Sequence, residues 1–189
     1  TYTYHIAKPK PSENNVFYDF GELVNAIQAN PSGEFKLGQS LSARNIVPNG
    51  KSYITSEFTG KLLSDGDKRY GIYDLEHPLF NVINGGTIKN INFENVEIDR
   101  PGQNQIATIG FNIKNNGLIE DVKVSGSVTG NNDVAGLVNK IDENGKIKGG
   151  KAGDQTGKEV RITPFSGGKK VYSVFRHPDP KVARTIAYY

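Results

Sequence analysis

The sequence predicts an all-β fold: a right-handed parallel β-helix, or solenoid, with a short N-terminal helix cap and a C-terminal β segment of open role. The first observation is a repeat. Gly86, Gly117 and Gly145 each open a segment with apolar residues at alternate positions, and they lie 31 and 28 residues apart (117 − 86 and 145 − 117). The second is composition, because 22 Gly and 9 Pro among 189 residues suit turns better than long helices. Such a period is typical of stacked coils that bury their apolar faces against their neighbours.

The apolar positions of these repeats define the expected interior. The repeats begin at Pro78 and lie near residues 79–93, 109–124 and 135–148, within a predicted β-helix domain of residues 18–150. Burying one aliphatic side chain stabilises a fold by roughly 1.5–3 kcal/mol, so we expect the alternate apolar residues to stack coil over coil. The residues expected to form this structural repeat core are Ile88, Ile91, Phe93, Ile119, Val122, Val124 and Ile147.

Asparagine is concentrated between the apolar segments. Its side chain tolerates left-handed backbone and hydrogen-bonds locally, so we expect these residues at the corners of the coils. A ladder of amides that binds sugar is the alternative interpretation. The residues concerned are Asn84, Asn90, Asn92, Asn95, Asn115, Asn116, Asn131 and Asn132.

The N-terminal residues predict a linker and then a helix. Residues 1–17 contain prolines, which favour extended backbone, and we interpret them as a linker from an upstream module. Asp19 followed three residues later by Glu22 is a capping pattern, and a short apolar face follows it. Because the residue before Pro31 is disfavoured in a helix, the predicted helix covers residues 20–29.

Alternating segments outside the repeats predict further strands. Residues 33–37 and 70–75 alternate in this way. Near the C-terminus, residues 159–163 and 170–175 can pair as a hairpin across a Ser-Gly-Gly turn. Residues 183–189 are either a final strand or a short apolar helix.

Charge is unevenly distributed along the chain. Residues 151–189 hold eight Lys and Arg against three Asp and Glu, net +5, so residues 1–150 hold fifteen against seventeen, net −2. We interpret residues 151–189 as a basic tail that is either a cap or the start of a next module. The overall charge of +3 is too small to indicate a nucleic acid partner.

Other features exclude whole classes of chemistry. Cysteine is absent, which excludes disulfides, thiol catalysis and thiolate metal sites. No run of 18 apolar residues occurs, so we expect no membrane insertion. The chain begins at Thr1 without a Met, and we expect an excised piece of a longer protein.

Five phrases of the sequence carry a family resemblance: Tyr18–Val24, Phe35–Ala43, Lys51–Leu62, Tyr73–Phe80 and Val134–Val138. On these phrases the chain from Tyr18 to Gly150 resembles the N-terminal β-helical region, with its Gly-Leu repeat, of the streptococcal zinc metalloproteases of peptidase family M26, which include the immunoglobulin A1 proteases. The resemblance implies a secreted, cell-wall-attached Gram-positive protein whose zinc peptidase domain lies far downstream.

The resemblance implies that zinc belongs to that distant domain, where a His-Glu-x-x-His motif binds it. No such motif occurs here, and none of His5, His77 and His177 has a second His four residues later. We therefore expect no catalytic, cofactor-binding or metal-binding residues in this chain, and the substrate-binding residues are unknown from sequence.

The first functional hypothesis is a non-catalytic domain that helps to bind, position or gate a large substrate. The resemblance implies as partners a host protein, the immunoglobulin A1 heavy chain or a similar glycoprotein, and the other domains of the same protease. Exposed aromatic residues are candidates for contact, although core burial explains each equally well. They are Tyr53, Tyr70, Tyr73 and Phe111.

Two alternatives stay open. The β-helix can be a surface adhesion or spacer module, which the proline-rich entry favours. It can also be a glycan-acting enzyme, because parallel β-helices host enzymes that use clustered acids assisted by Ca²⁺ or by Arg and Lys. A carboxylate pair with Arg100 is the required constellation. The acids close together in sequence are Glu94, Glu97 and Asp99, then Glu120 and Asp121.

Overall fold

A computed structural model describes residues 12–142, 144–148, 161–165, 169–173 and 182–188. Within them the chain winds through about four turns of a β-solenoid with three sheets as its sides and one short helix. The predicted all-β solenoid is therefore confirmed. No helix among the described residues is long and apolar enough to cross a membrane.

Sheet A forms the first side and consists of six parallel strands. In spatial order they are β1 (Val16–Phe17), β2 (Glu34–Leu37), β4 (Lys61–Ser64), β7 (Thr87–Lys89), β10 (Leu118–Glu120) and β13 (Lys146–Lys148). The inward row of the last five strands runs in direct register through Phe35, Leu62, Ile88, Ile119 and Ile147. The sheet begins at β1, two residues before the predicted start of the domain.

The glycine-led repeat is longer than the three copies predicted from Gly86, Gly117 and Gly145. Gly33 precedes β2 and Gly60 precedes β4, as Gly86, Gly117 and Gly145 precede the later strands of sheet A. The two additional spacings are 27 and 26 residues (60 − 33 and 86 − 60). The repeat therefore begins two coils before Pro78. The first of these coils is hard to recognise because a two-residue strand and isolated bridges form its other two sides, and the second has strands of only four and three residues there.

Sheet B forms the second side. In spatial order its strands are β16 (Val182–Tyr188), β11 (Lys123–Thr129), β8 (Ile91–Asp99), β5 (Tyr70–Tyr73) and β3 (Leu41–Ser42). The inward row runs through Leu41, Ile72, Phe93 and Val124. A bulge interrupts the pairing of β8 with β11 between Val124 and Gly126. Asn95 has a left-handed backbone there, with φ of 50°.

Sheet C closes the coil. Its strands are β14 (Arg161–Phe165), β15 (Lys169–Ser173), β12 (Val138–Ile141), β9 (Gly110–Lys114) and β6 (Val82–Asn84). The strands β14 and β15 pair antiparallel, close to the two segments that the alternation predicts to pair. The backbones of β15 and β16 run antiparallel to β12 and β11, so two sheets gain an antiparallel strand at the C-terminal end. Residues 1–11 and 151–160 lie outside the described residues.

Helix α1 (Phe20–Ala29) lies at the N-terminal end, with the bounds that the sequence predicts. The carboxylate of Asp19 caps it by accepting a 2.9 Å hydrogen bond from the Glu22 N–H. The helix buries Phe20 and three aliphatic residues on its inward side. The Phe20 ring meets Tyr53 edge-on at 5.1 Å, so the helix covers the apolar end of the solenoid.

The expected repeat core lies in the interior. Six of its seven residues, from Ile88 to Val124, have exposed fractions of 0–1%. Ile147 is half-buried and packs against this core from β13, the last strand of sheet A.

Candidate binding surface

The outer side of sheet B carries a polar network around a half-buried aromatic ring. Because Ile72, Phe93 and Val124 point inward, the residues next to them in each strand point outward. We call this surface the sheet B face. It comprises Ser40, Ser42, Arg69, Tyr73, Asp74, Asn92, Glu94, Asn95 and Lys123.

The Tyr73 ring lies back along its own strand, over Gly71. A Cβ atom on Gly71, two residues earlier in β5, would stand only 2.8 Å from Cε2 of this ring. Glycine at position 71 therefore leaves the space that the ring occupies. A hydrogen bond with the Glu94 carboxylate and burial raise the pKa of Tyr73, while a hydrogen bond with Ser40 opposes them. The ring is half-buried and held at its hydroxyl.

Charged and amide groups surround this ring. The Lys123 ammonium lies 3.5 Å from a Glu94 carboxylate oxygen, and both side chains are about three-quarters covered, with exposures of 22% and 25%. Arg69 donates from Nε to the Asn92 side-chain oxygen at 2.7 Å. These pairs join neighbouring coils, so the positions of the polar groups follow from the stacking of the strands.

Asp74 directly follows β5 and has a left-handed backbone, with φ of 66°. Its carboxylate accepts hydrogen bonds of 2.6 Å from the Ser42 hydroxyl and of 2.6 Å from the Asn95 amide. These two donors, with Arg44 nearby, hold the pKa of Asp74 below its usual value despite partial burial. The carboxylate is thus kept ionised at the rim of the face.

The polar groups of the sheet B face are engaged with one another around the Tyr73 ring. An aromatic ring flanked by fixed donors and acceptors suits contact with a polar chain such as a polypeptide or a glycan. The carboxylates of Glu94 and Asp74 are engaged with Lys123 and with hydroxyl and amide donors. No serine of the face is paired with a histidine among the described contacts.

The four aromatic candidates from the sequence have different environments. Tyr53 belongs to the core, with 1% of its surface exposed. Tyr70, Tyr73 and Phe111 are half-buried. Only Tyr73 belongs to the polar network of the sheet B face. Gly71 is the sequence signal that distinguishes it, because a glycine two residues before an outward aromatic leaves room for the ring.

The acidic residues named for catalysis are distributed over two sides of the solenoid. Glu97 and Asp99 share the exposed side of β8, as their spacing predicts. Glu120 lies on sheet A, where its carboxylate is 3.7 Å from the Lys89 ammonium, and Asp121 lies at the next corner. Arg100 instead donates to the Glu76 carbonyl and contacts His77. The described residues do not bring Arg100 to a carboxylate pair.

His77 lies in a structural contact. Its ring meets Tyr53 edge-on at 5.6 Å, and Nε2 contacts the Arg100 guanidinium. Because guanidinium only donates, Nε2 accepts and Nδ1 carries the proton, buried without a partner. Among the described residues, no three His, Asp or Glu side chains are grouped so that they can hold a metal ion. His5 and His177 lie outside those residues.

Stability is expected to fall in mild acid because of His77. Burial, followed by the Arg100 charge, lowers the pKa of His77 below 6.5. The unfolded chain therefore binds this proton more readily than the folded chain does. The contribution of neutral His77 to the free energy of unfolding is complete above about pH 6.5 and is lost as the pH falls below that value. Urea unfolding at pH 7 and pH 5 measures the difference.

The His77→Gln variant is the matched control, since its side-chain oxygen can accept from Arg100 and does not titrate. Burial raises the pKa of Asp133, so protonation of Asp133 stabilises the fold in acid and acts in the opposite direction. The comparison of wild type with the variant removes that contribution. An equal loss of stability in both proteins would contradict the assignment to His77.

Asparagine side chains connect successive coils. Asn84 donates to Glu57 at 2.9 Å, Asn115 donates to Asn84 at 3.1 Å, and Asn131 donates to Asn104 at 3.0 Å. Four of the predicted corner residues have left-handed backbones with φ of 50–59°: Asn90, Asn95, Asn115 and Asn116. Local backbone geometry and coil-to-coil bonding therefore account for most of these residues.

Two family models match the chain. The N-terminal region of the M26 IgA1-specific metallo-endopeptidases matches residues 1–126. An endolysin-like domain matches residues 137–189. The second match begins one residue before β12, so it includes the last coil of the solenoid and the three antiparallel-paired strands that follow.

Three streptococcal proteins show how far the likeness extends. Zinc metalloprotease ZmpB of Streptococcus pneumoniae serotype 4 is 59% identical over 128 residues, 68% of this chain and 7% of that protein. The immunoglobulin A1 protease of S. pneumoniae strain R6 is 37% identical, covering 75% of this chain and 7% of the protease. Zinc metalloprotease ZmpC is 37% identical, covering 78% of this chain and 8% of that protein.

A solved structure of an IgA1 protease supports the same fold. It matches with a TM-score of 0.59 and 30% sequence identity, over 77% of this chain and 12% of that chain. The chain thus spans less than a tenth of the curated relatives, at 7–8%, and about an eighth of the solved protein, at 12%.

Proposed function

Because this chain belongs to the family of the M26 IgA1-specific metallo-endopeptidases, within their N-terminal region, we propose that it is a non-catalytic domain that binds, positions or gates a host glycoprotein substrate. Immunoglobulin A1 heavy chain, or a similar glycoprotein, is the proposed partner. The zinc and the peptide-cleaving residues then belong to another domain of the parent protein, which is secreted and attached to the cell wall.

The sheet B face is the observation that carries this proposal. Its Tyr73 ring and polar groups are fixed by contacts between coils, so a partner would meet a surface that is already ordered. Binding to an ordered surface costs less side-chain and loop entropy than binding to flexible loops. A stacked solenoid supplies such an extended surface.

Replacing Tyr73 with alanine is expected to weaken binding of immunoglobulin A1. Truncating a central tyrosine of an interface costs about 2 kcal/mol, or about 30-fold in Kd. Interferometry with immobilised immunoglobulin A1 measures the change, and a melting curve checks that the variant remains folded. The Tyr73→Phe variant should retain most of the affinity if the ring provides the contact.

Phe111→Ala provides the matched control, because this half-buried aromatic lies on sheet C instead of sheet B. It should leave the affinity unchanged. An equal loss in both variants would place the contact elsewhere. Absence of binding by the wild-type chain would contradict a binding role for the chain alone and favour the adhesion or spacer alternative.

The glycan-acting enzyme is the remaining alternative, and it has a direct test. We expect the chain to cleave neither immunoglobulin A1 nor glycans when zinc or calcium is added, because Arg100 is engaged with Glu76 and His77 and not with a carboxylate pair. Release of a fragment or a reducing sugar would overturn the non-catalytic assignment.

A further inference from the structure

The outer side of sheet A, which we call the sheet A face, is basic although the rest of the solenoid is acidic. Residues 12–148 hold 13 Lys and Arg against 17 Asp and Glu, net −4. The face holds five Lys against two Glu, net +3, so the remainder holds 8 against 15, net −7. The face comprises Glu34, Lys36, Lys61, Leu63, Thr87, Lys89, Leu118, Glu120, Lys146 and Lys148.

Several of these lysines are available to a partner. Lys36 lies 3.8 Å from Glu34, and Lys89 lies 3.7 Å from Glu120, in partly exposed pairs of little energetic value. Lys61, Lys146 and Lys148 are exposed, and within the part of the chain that the structure describes no carboxylate lies within 4.0 Å of their ammonium groups. The three unpaired cations therefore set the sign of the surface potential here.

The parallel register arranges these charges in two rows. Neighbouring strands lie about 4.8 Å apart, so the five strands from β2 to β13 extend over about 19 Å. Leu63 and Leu118 lie half-buried between the lysines and offer apolar contact. Asp65 and Asp121 stand at the corner beside the face, with Arg69 near Asp121. A rigid, flat and elongated cationic surface results.

We propose that the sheet A face binds a linear polyol-phosphate polymer of the type found in Gram-positive cell walls. Lysine ammonium groups on flexible stems act as point charges, which suits phosphates spaced along a flexible chain. The outward residues include no arginine, whose planar fork fixes carboxylates and phosphates in one geometry, so binding here would depend on charge and spacing. They also include no aromatic residue on which nucleic acid bases could stack. The polymer would hold the domain close to the wall while the sheet B face remains free.

Binding of lipid-free poly(glycerol phosphate) to the 189-residue chain tests this proposal by calorimetry across a salt series. Five contacts to a single-stranded polyanion predict a slope of log K against log salt of about −3.5, so affinity should fall on the order of 100-fold between about 50 and 200 mM salt. The double variant Lys61→Gln, Lys146→Gln should reduce the slope to about −2.

The matched control is Arg44→Gln, Lys114→Gln, which removes the same charge from the sides formed by sheets B and C. It should leave the affinity and slope near the wild-type values. Equal weakening by both double variants, or absence of binding at low salt, would overturn the proposal. Equally tight binding of poly(dT) would overturn the assignment to a polyol phosphate and leave non-selective polyanion binding.

Discussion

Replacing Ile119 with aspartate is expected to unfold the solenoid. Ile119 has an exposed fraction of 0% and lies between Ile88 and Ile147 in the inward row of sheet A. Removing a buried aliphatic side chain costs about 2–5 kcal/mol, and a buried unpaired carboxylate adds several more. The sum is comparable with the whole stability of a domain, which is about 5–15 kcal/mol. Loss of the β signal in circular dichroism at 25 °C, or a collapsed melting temperature, measures the effect.

The adjacent residue provides the matched control for this substitution. Leu118 points outward and lies opposite Thr87 and Lys146, so Leu118→Asp places the carboxylate in water beside a cation. Its expected cost is within about 1 kcal/mol. Ile147→Asp should have an intermediate effect because Ile147 is half-buried at the last strand of sheet A. Similar melting curves for Ile119→Asp and Leu118→Asp would contradict the inward stacking of Ile119.

The fold could be predicted because its signals are local. A glycine followed by alternating apolar residues describes β7, β10 and β13 directly, and the parallel sheet places these strands in register. The helix bounds followed from Asp19 and Pro31 for a similar reason, since caps and prolines act on the nearest few residues. These elements were recognisable because their local sequence patterns agree with the structure that they adopt in the solenoid.

The first two coils were harder to predict because their sides are unequal. Gly33 and Gly60 lead strands like the later ones, but after β2 the first coil forms only the two-residue β3 and isolated bridges at Ile54 and Phe58, and after β4 the second coil forms only the short β5 and β6. A period is visible in sequence only when each side of the coil contributes a pattern. In these two coils sheet A retained the pattern, whereas the other two sides carried strands of four residues or fewer.

The candidate site was less predictable because it is built across coils. Tyr73, Glu94 and Lys123 come from three different strands, and their contact depends on the register and the bulge in sheet B. Sequence named Tyr73 together with three other aromatic residues, and the meaning of Gly71 beside it became clear only when the structure placed the Tyr73 ring over that glycine. The basic sheet A face was missed for the same reason, since its five lysines are separated by more than a hundred residues from Lys36 to Lys148.

Replacing Gly126 with alanine is expected to destabilise the protein by about 3 kcal/mol or more, or about 10 °C in melting temperature, although this residue is exposed. Its φ of +135° is a backbone conformation that residues with a Cβ rarely adopt. A Cβ atom would also stand 2.2 Å from the Val96 carbonyl oxygen and 2.5 Å from its nitrogen. Those atoms belong to the backbone of β8, so relief requires the two strands to separate at the bulge.

Thermal unfolding of the Gly126→Ala variant measures this effect. Ser127→Ala is the matched control, because Ser127 is the next residue of β11 and pairs with Glu97 across the same two strands. Ser127→Ala should change the free energy of unfolding by less than about 0.5 kcal/mol. Since the strain lies within sheet B, Gly126→Ala should also weaken partner binding at the sheet B face more than polymer binding at the sheet A face. A melting temperature equal to that of wild type would show that β8 and β11 do not pair through a bulge at this residue.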